Sequence, residues 1–78
     1  MEFKLNGKPL ALTRETVIEC VRGKTPGPSF KHEVLIEGVY WPIKDVFALA
    51  TREDKLDFTT KQARKVLISL GFEVRRLA

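Results

Sequence analysis

The segment "FTTKQARKVLISLGFEV", residues 58–74, most constrains what this chain can fold into, because it carries both the start and the stop of one helix. Thr59 followed three residues later by Gln62 predicts a capping box at its start. Gly71, followed by an apolar residue, predicts a Schellman stop at its end. The segment therefore predicts a helix over residues 60–70.

The predicted helix has one apolar face and one basic face. Four apolar residues fall within one sector of roughly 100° and predict the buried side: Ala63, Val66, Leu67 and Leu70. The opposite side carries Lys61, Arg64, Lys65 and Ile68, with Gln62 and Ser69 on one flank. An exposed isoleucine among cations has three interpretations, which stay open: contact with a DNA base, contact with a second subunit, or packing within the chain.

Turn and cap residues place the elements that precede this helix. Asn6-Gly7 predicts a hairpin turn, or else the end of a lone first strand. Thr13 predicts the N-cap of a first helix, which Gly23 would end. Residues 24–29, "KTPGPS", predict a loop.

The second half of the chain continues with strands and a further helix. Two strands joined at residues 37–38 have four expected inward residues: Val34, Ile36, Val39 and Trp41. Pro42 then starts a second helix over residues 43–52, and "FEVRRL" after the basic helix predicts a final strand. Two consecutive helices, the second basic and followed by a strand, match a winged helix-turn-helix pattern. We therefore predict an α+β fold, a winged helix-turn-helix variant with three helices and a small antiparallel sheet, as a single domain over residues 1–78.

The positive charge of the chain is confined to its carboxyl end. The formal net charge is +4, yet residues 1–60 hold nine basic and nine acidic side chains. The excess comes from five cations set against Glu73 alone: Lys61, Arg64, Lys65, Arg75 and Arg76. A basic stripe in one region is typical of proteins that bind a polyanion, although a solvated helix face would give the same pattern.

Enzyme, metal and membrane functions find little support in the sequence. His32 and Cys20 are each the only residue of their type, whereas a zinc site normally takes three or four such ligands. The stretch "GKTPGPS" is not a phosphate-binding loop. A single cysteine excludes an internal disulfide, and no run approaches the roughly 20 apolar residues of a membrane span. We expect a cytoplasmic protein that is not an enzyme and has no cofactor.

The basic face has the residue types that read DNA in the major groove. Cations bind phosphates and guanine edges, amides bind adenine, and apolar groups contact pyrimidine methyls. Ile68 would then touch the methyl of thymine or of 5-methylcytosine. Thr59, Thr60 and the amides at the helix start would anchor a phosphate. Since Arg75 and Arg76 alternate along a strand, only one of them would face the same partner as the helix.

A longer stretch, "GVYWPIKDVFALATREDKLDFTTKQARKVLISLGFEV", resembles small actinobacterial winged helix-turn-helix proteins. It is also similar to the DNA-sensing head domain of HNH-type, modification-dependent restriction endonucleases. The resemblance covers about half the chain, and most matching positions are core positions. It implies a homodimer that binds double-stranded DNA, with a preference for 5-methylcytosine. Lys44 and Arg64 are the surface residues at which this chain matches the family. Because no nuclease motif follows, the resemblance implies binding without cleavage.

The alternative from a different class is a protein-interaction or assembly module. Its basic face would bind an acidic protein partner, and Ile68 would anchor the interface. Under either interpretation the candidate site is the exposed face of the basic helix and its neighbours.

Overall fold

The chain folds into three helices and two antiparallel sheets in the computed structural model, which describes residues 1–28 and 31–77. Its strands are β1 (Glu2–Leu5), β2 (Lys8–Ala11), β3 (His32–Ile36), β4 (Val39–Pro42) and β5 (Glu73–Arg76). Its helices are α1 (Arg14–Val21), α2 (Ile43–Thr51) and α3 (Thr60–Ser69), with a short 3-10 turn, Lys55–Asp57, between α2 and α3. The predicted α+β class and the predicted order of elements are confirmed. The prediction of one small sheet is wrong, because among the described residues β1 and β2 pair only with each other and form a second sheet.

The β1–β2 hairpin turns at Asn6 and Gly7, as the sequence predicts. Both residues have positive φ, 52° and 84°, and Leu5 pairs with Lys8 across the turn. A two-residue turn of this kind needs left-handed backbone at both positions, which asparagine and glycine adopt at low cost. The hairpin forms a sheet of its own and buries Leu5 in the core.

The second sheet has the strand order β4-β3-β5, with antiparallel neighbours throughout. Val34 at its centre is fully buried and pairs with Trp41 on one side and with Val74 on the other. These side chains share the face that packs on the helices. Glu33 and Arg75, each one residue away along its strand, therefore lie on the opposite face.

The core joins both sheets to the three helices. Phe47 of α2 lies at its centre, with ring centroids 6.1 Å from Phe3 and 4.7 Å from Phe58. The largest fully buried side chains come from every part of the chain: Phe47, Leu12, Ile36, Leu67, Val17, Val34 and Val46. Burying a side chain of this size contributes about 1.5–3 kcal/mol, so this set provides much of the stability of a small domain.

Three of the four residues predicted to point inward from the β3–β4 hairpin are buried, and Val39 is the exception. It pairs with Ile36 and has the expected face, yet it is 44% exposed. Val39 stands beside the turn on the edge strand β4, beyond the part of the sheet that packs on helices. The prediction of a buried Val39 is wrong because alternation gives the face of a residue and says nothing about how far the helices extend over it.

The helix ends lie close to the predicted ones. Thr13 caps α1, its hydroxyl accepting the N–H of Thr16 at 3.1 Å. The predicted second helix, 43–52, ends one residue earlier because Arg52 takes a left-handed conformation with φ of 61°. The predicted loop 24–29 lacks regular structure from residue 24 to residue 28, and Ser29 lies outside the described residues.

Both predicted end structures of α3 are present. Thr59 and Gln62 form a reciprocal capping box. At the other end the N–H of Phe72 bonds to the carbonyl of Leu67 at 3.1 Å, and the N–H of Gly71 bonds to the carbonyl of Ile68 at 2.9 Å. This pair of bonds defines a Schellman stop and ends α3 at Ser69, one residue before the predicted limit.

Candidate functional site

The outward face of α3 brings three cations around an exposed isoleucine. Lys61, Arg64 and Lys65 are all exposed, and within residues 1–28 and 31–77 none of them forms an ion pair. Ile68 is 45% exposed. It follows Arg64 by four residues and Lys65 by three, a spacing that makes them neighbours on a helix surface. The face is therefore charged, unpaired and open to a partner.

The opposite face of α3 fixes the helix to the domain. Ala63 and Leu67 are fully buried, and Val66 is 7% exposed. This burial explains why the basic face points outward: rotating α3 would expose the apolar residues and desolvate unpaired lysines. The two predicted faces are confirmed, except that Leu70, predicted to be buried, is half-buried at the end of the helix. The 45% exposure of Ile68 leaves part of its side chain available to a partner.

Gln62 is used by the fold itself, although the sequence suggested it as a reader of adenine. Its Oε1 accepts the N–H of Thr59 at 2.8 Å, and its Nε2 donates to Oδ1 of Asn6 at 3.2 Å. The side chain of Asn6 in turn donates to the carbonyl of Asp57. Both ends of the Gln62 amide are therefore engaged, and the β1–β2 turn is fastened to the start of α3.

Thr59 and Thr60 lie at the start of α3 with different surroundings. The hydroxyl of Thr59 accepts the N–H of Gln62 at 3.2 Å, which satisfies one amide of the first helical turn. Thr60 is half-buried and lines a neighbouring cleft. Thr60 lines the cleft, and the hydroxyl of Thr59 already serves as the helix cap. The phosphate anchor expected at these two residues stays a prediction.

The two arginines of β5 have separate surroundings. Arg75 donates to Glu33, with a 2.7 Å ion pair, and its guanidinium lies 3.5 Å from the ring centroid of Tyr40. The hydrogen bond that Arg75 donates to the Glu33 carboxylate is the main reason that the pKa of Arg75 is raised. Arg76 shares the helix side of the sheet with Val74 and is exposed. As the alternation predicted, the two arginines lie on opposite faces of the sheet, and Arg76 lies on the face that packs on the helices.

Lys44 lies beside the start of α3 and packs over an aromatic ring. Its Nζ is 5.3 Å from the ring centroid of Phe58, within the range of a cation–π contact. Lys44 also lines the cleft that Thr60 borders, together with Lys55, whose ammonium pairs with Asp45. Lys44 and Arg64, the two surface positions carried over by the resemblance, thus occupy different parts of the surface: Lys44 the cleft, Arg64 the outer face of α3.

Sequence reasoning missed Arg14, which holds the other end of α3. Its Nη1 donates to the carbonyl of Leu70 at 3.0 Å, and its guanidinium lies 4.4 Å from the ring centroid of Phe72. A cation at a helix C-terminus interacts favourably with the helix dipole. The contact joins residues 56 positions apart, so no local pattern in the sequence indicates it.

Two further properties belong to the part of the chain that the structure describes. There, no group of three or more His, Cys, Asp or Glu side chains is arranged to hold a metal ion. Among the helices formed by those residues, none is both long and apolar enough to cross a membrane.

Comparison with known proteins places the chain by family. The model of the SCO5918-like family matches residues 5–78, which is nearly the whole sequence. No curated protein and no solved structure matches.

Proposed function

The chain belongs to the SCO5918-like family, and we propose that it is a non-enzymatic protein that binds double-stranded DNA, with α3 as its recognition helix. One observation carries this proposal: the exposed face of α3 presents Lys61, Arg64 and Lys65 without ion pairs to any described residue. Unpaired cations on a rigid helix are the feature that binds phosphates and guanine edges in the major groove.

The dimensions of α3 support this use. Its ten residues make a rod about 15 Å long, and the major groove of B-form DNA, about 12 Å wide, admits one helix. The helix is held at its start by Asn6 and at its end by Arg14. Anchors at both ends keep the cations in a fixed geometry, which lowers the entropy cost of binding.

In this proposal the fold is a winged helix-turn-helix variant. Helices α2 and α3 are consecutive and joined through the Lys55–Asp57 turn, and β5 follows α3. Phosphate contacts come from the ends of the basic face: Arg76 on β5, and Lys44 with Thr60 near the helix start. Arg75 and Gln62 take no part, because Glu33, Tyr40, Thr59 and Asn6 already engage them.

Ile68 gives the proposed readout its specificity. An apolar side chain among cations can contact the C5 methyl of thymine or of 5-methylcytosine. We therefore propose that the protein prefers DNA that contains 5-methylcytosine. We also propose that it is located in the cytoplasm. We also propose a homodimer, since a second copy doubles the phosphate contacts and adds buried area to a small core. Gel filtration measures the dimer directly.

The experiment is a fluorescence-anisotropy titration with duplex DNA at 50 mM and 200 mM salt. With about four to six phosphate contacts per module, affinity should fall roughly 10²- to 10³-fold between the two conditions. Binding that is absent at low salt, or that ignores salt, would reject the proposal.

A second function is favoured by the exposed apolar residues Ile68 and Leu56, which are 45% and 92% exposed. In this alternative the protein is an interaction or assembly module whose basic face binds an acidic protein. Methylated and unmethylated duplexes tested with Ile68→Ala separate the two functions. DNA reading predicts a lost methyl preference with non-specific affinity kept, and Leu56→Ala serves as the matched control that changes neither.

A further inference from the structure

A cleft of about 600 Å³ opens beside the starts of α2 and α3. The residues that line it come from the loop before β3, the start of β3, the start of α2 and the region before α3: Pro28, Lys31, His32, Pro42, Ile43, Lys44, Asp45, Lys55 and Thr60. Its volume lies within the range of small-molecule sites. It shares Lys44 and Thr60 with the phosphate contacts proposed at the start of α3, but its remaining lining residues lie outside the proposed DNA-binding surface.

Positive charge predominates in the cleft. Lys31, Lys44 and Lys55 contribute three cations, and Asp45 contributes the one carboxylate among the named lining residues. Lys55 and Asp45 neutralise each other in an ion pair. Lys31 and Lys44 have no acidic partner in the described part of the chain. The cleft therefore has an uncompensated charge of two and favours an anion.

The backbone at the cleft adds to this preference. Helix α2 begins at Ile43 after Pro42, and no side chain caps its first turn. Amides at an uncapped helix start carry partial positive charge and bind anions. The ring of His32 lines the same cleft, and its buried Nδ1 has no hydrogen-bond partner among the described residues. Such an unpartnered buried atom is uncommon in folded proteins.

The lining is also apolar on one side. Pro28, Pro42 and Ile43 offer flat or branched carbon surface next to the lysines. A simple inorganic anion would leave this surface in contact with water. A ligand with a phosphate and an attached sugar and base would use both parts, since it is anionic at one end and has a π-face at the other.

We propose that this cleft binds a nucleotide, with the phosphate between Lys31 and Lys44 and the sugar and base on the proline side. The nucleotide could be a free mononucleotide or one nucleotide of a DNA strand that lies along α3. The proposal does not depend on DNA binding by the outer face of α3. It concerns a concave surface in which Lys31 is additional to the proposed DNA-binding residues and Lys44 is shared with them.

The test follows backbone amide signals of the ¹⁵N-labelled full chain by NMR. The probes are deoxycytidine monophosphate, deoxycytidine, inorganic phosphate and a short duplex DNA. We expect the monophosphate to shift the amides of Ile43, Lys44, Asp45 and Thr60, and to bind at least tenfold more tightly than the nucleoside without phosphate. Equal affinity for inorganic phosphate would overturn the assignment of a nucleotide.

The duplex distinguishes the two sources and separates this proposal from the DNA-binding one. Cleft shifts with the monophosphate support the cleft. Duplex shifts that extend to His32 and Ile43, beyond the Lys44 and Thr60 contacts of the DNA-binding proposal, identify a nucleotide of the strand as the source. Duplex shifts confined to Lys61, Arg64 and Lys65, with no response to the monophosphate, would overturn the cleft and leave DNA binding intact. Cleft shifts from the monophosphate without any duplex binding would support the cleft and reject DNA binding.

Variants locate the binding charge. Lys31→Ala and Lys44→Ala should each weaken the monophosphate by about tenfold, as expected for a lost charge-assisted hydrogen bond. Lys4→Ala, on the exposed surface of β1, is the matched control and should change affinity less than twofold. Lys44 packs on Phe58, so its variant is also checked by thermal unfolding. Lys31 is exposed, and an unchanged affinity in Lys31→Ala and Lys44→Ala alike would contradict the proposal.

Discussion

Gly71 lies in the left-handed region, with a φ of 90°, at the point where α3 ends. A Cβ added there would come within 3.0 Å of Nη1 of Arg14. The guanidinium of Arg14 would have to shift by a few tenths of an ångström, which weakens its 3.0 Å bond to the carbonyl of Leu70. We expect Gly71→Ala to lower the free energy of unfolding by about 1–2 kcal/mol, a backbone cost plus part of the energy of one hydrogen bond.

Gly38 provides the matched control for that variant. Its φ is 82°, close to that of Gly71, but an added Cβ would meet no atom within 4 Å. Gly38→Ala should therefore cost about 1 kcal/mol, the backbone term alone. Urea unfolding of both variants gives the comparison. Equal losses at the two positions would mean that Arg14 contributes nothing to holding the end of α3.

Cys20 tests the electrostatics of a half-buried thiol. Burial raises the pKa of this thiol, outweighing the lowering effect of Lys24, and Sγ donates to the carbonyl of Val17 at 3.0 Å. The folded chain therefore holds less thiolate than the unfolded chain near pH 8.5. Alkylation by iodoacetamide should be slower in the folded protein than in urea, and the gap should narrow as pH rises through the raised pKa. Equal rates at pH 8.5 would contradict this account.

The elements of the fold divide into those the sequence could predict and those it could not. The Asn6-Gly7 turn, the capping box and the Schellman stop were predictable because each depends on residues within about five positions of one another. The bond from Asn6 to Gln62 and the stacking of Arg75 on Tyr40 were not, since they depend on which elements meet in space.

The same distinction separates the parts of the candidate site. Periodicity predicted which residues of α3 face outward, because burial of one side of a helix follows from spacing alone. It could not show that Glu33 would neutralise Arg75, because that pairing needs the register of β3 with β5. Nor could it indicate the cleft, whose lining is assembled from separate segments of the chain.

A variant of Gln62 shows whether the side-chain amide of this α3 residue stabilises the fold or contacts DNA. Gln62→Ala removes its bonds to the N–H of Thr59 and to Asn6, so the free energy of unfolding should fall by about 1–2 kcal/mol. Ser69→Ala is the control, because the hydroxyl of Ser69 bonds only to the carbonyl of Lys65 within its own helix. It should change stability by less than about 0.5 kcal/mol. Unchanged stability with a large loss of duplex affinity in Gln62→Ala would restore the direct reading of adenine.

At the scale of the whole molecule, the arrangement of charge matters more than its sum. Among the described residues, three cations of the first 60 positions form ion pairs: Lys8 with Glu53, Arg22 with Glu19 and Lys55 with Asp45. On β5, Arg75 is likewise paired with Glu33. The outer face of α3 instead places three cations without an ion pair to any described residue, Lys61, Arg64 and Lys65, within five residues of one helix, and a polyanion would bind this dense cluster more strongly than isolated surface lysines.

Two double variants with the same net charge test that arrangement. Lys61→Glu with Lys65→Glu, and Lys4→Glu with Lys24→Glu, each replace two cations by two anions and lower the formal net charge from +4 to zero. All four lysines are exposed, so neither double should disturb the core. If binding depends on the face of α3, the first double loses more than tenfold in duplex affinity at 50 mM salt, and its salt slope falls by about two. The second double keeps most of its affinity, because Lys4 lies on β1 and Lys24 in the loop after α1, so neither supplies one of the proposed phosphate contacts. Equal losses in both doubles, measured by anisotropy on the same duplex, would show that net charge alone attracts DNA and that α3 has no special part in binding.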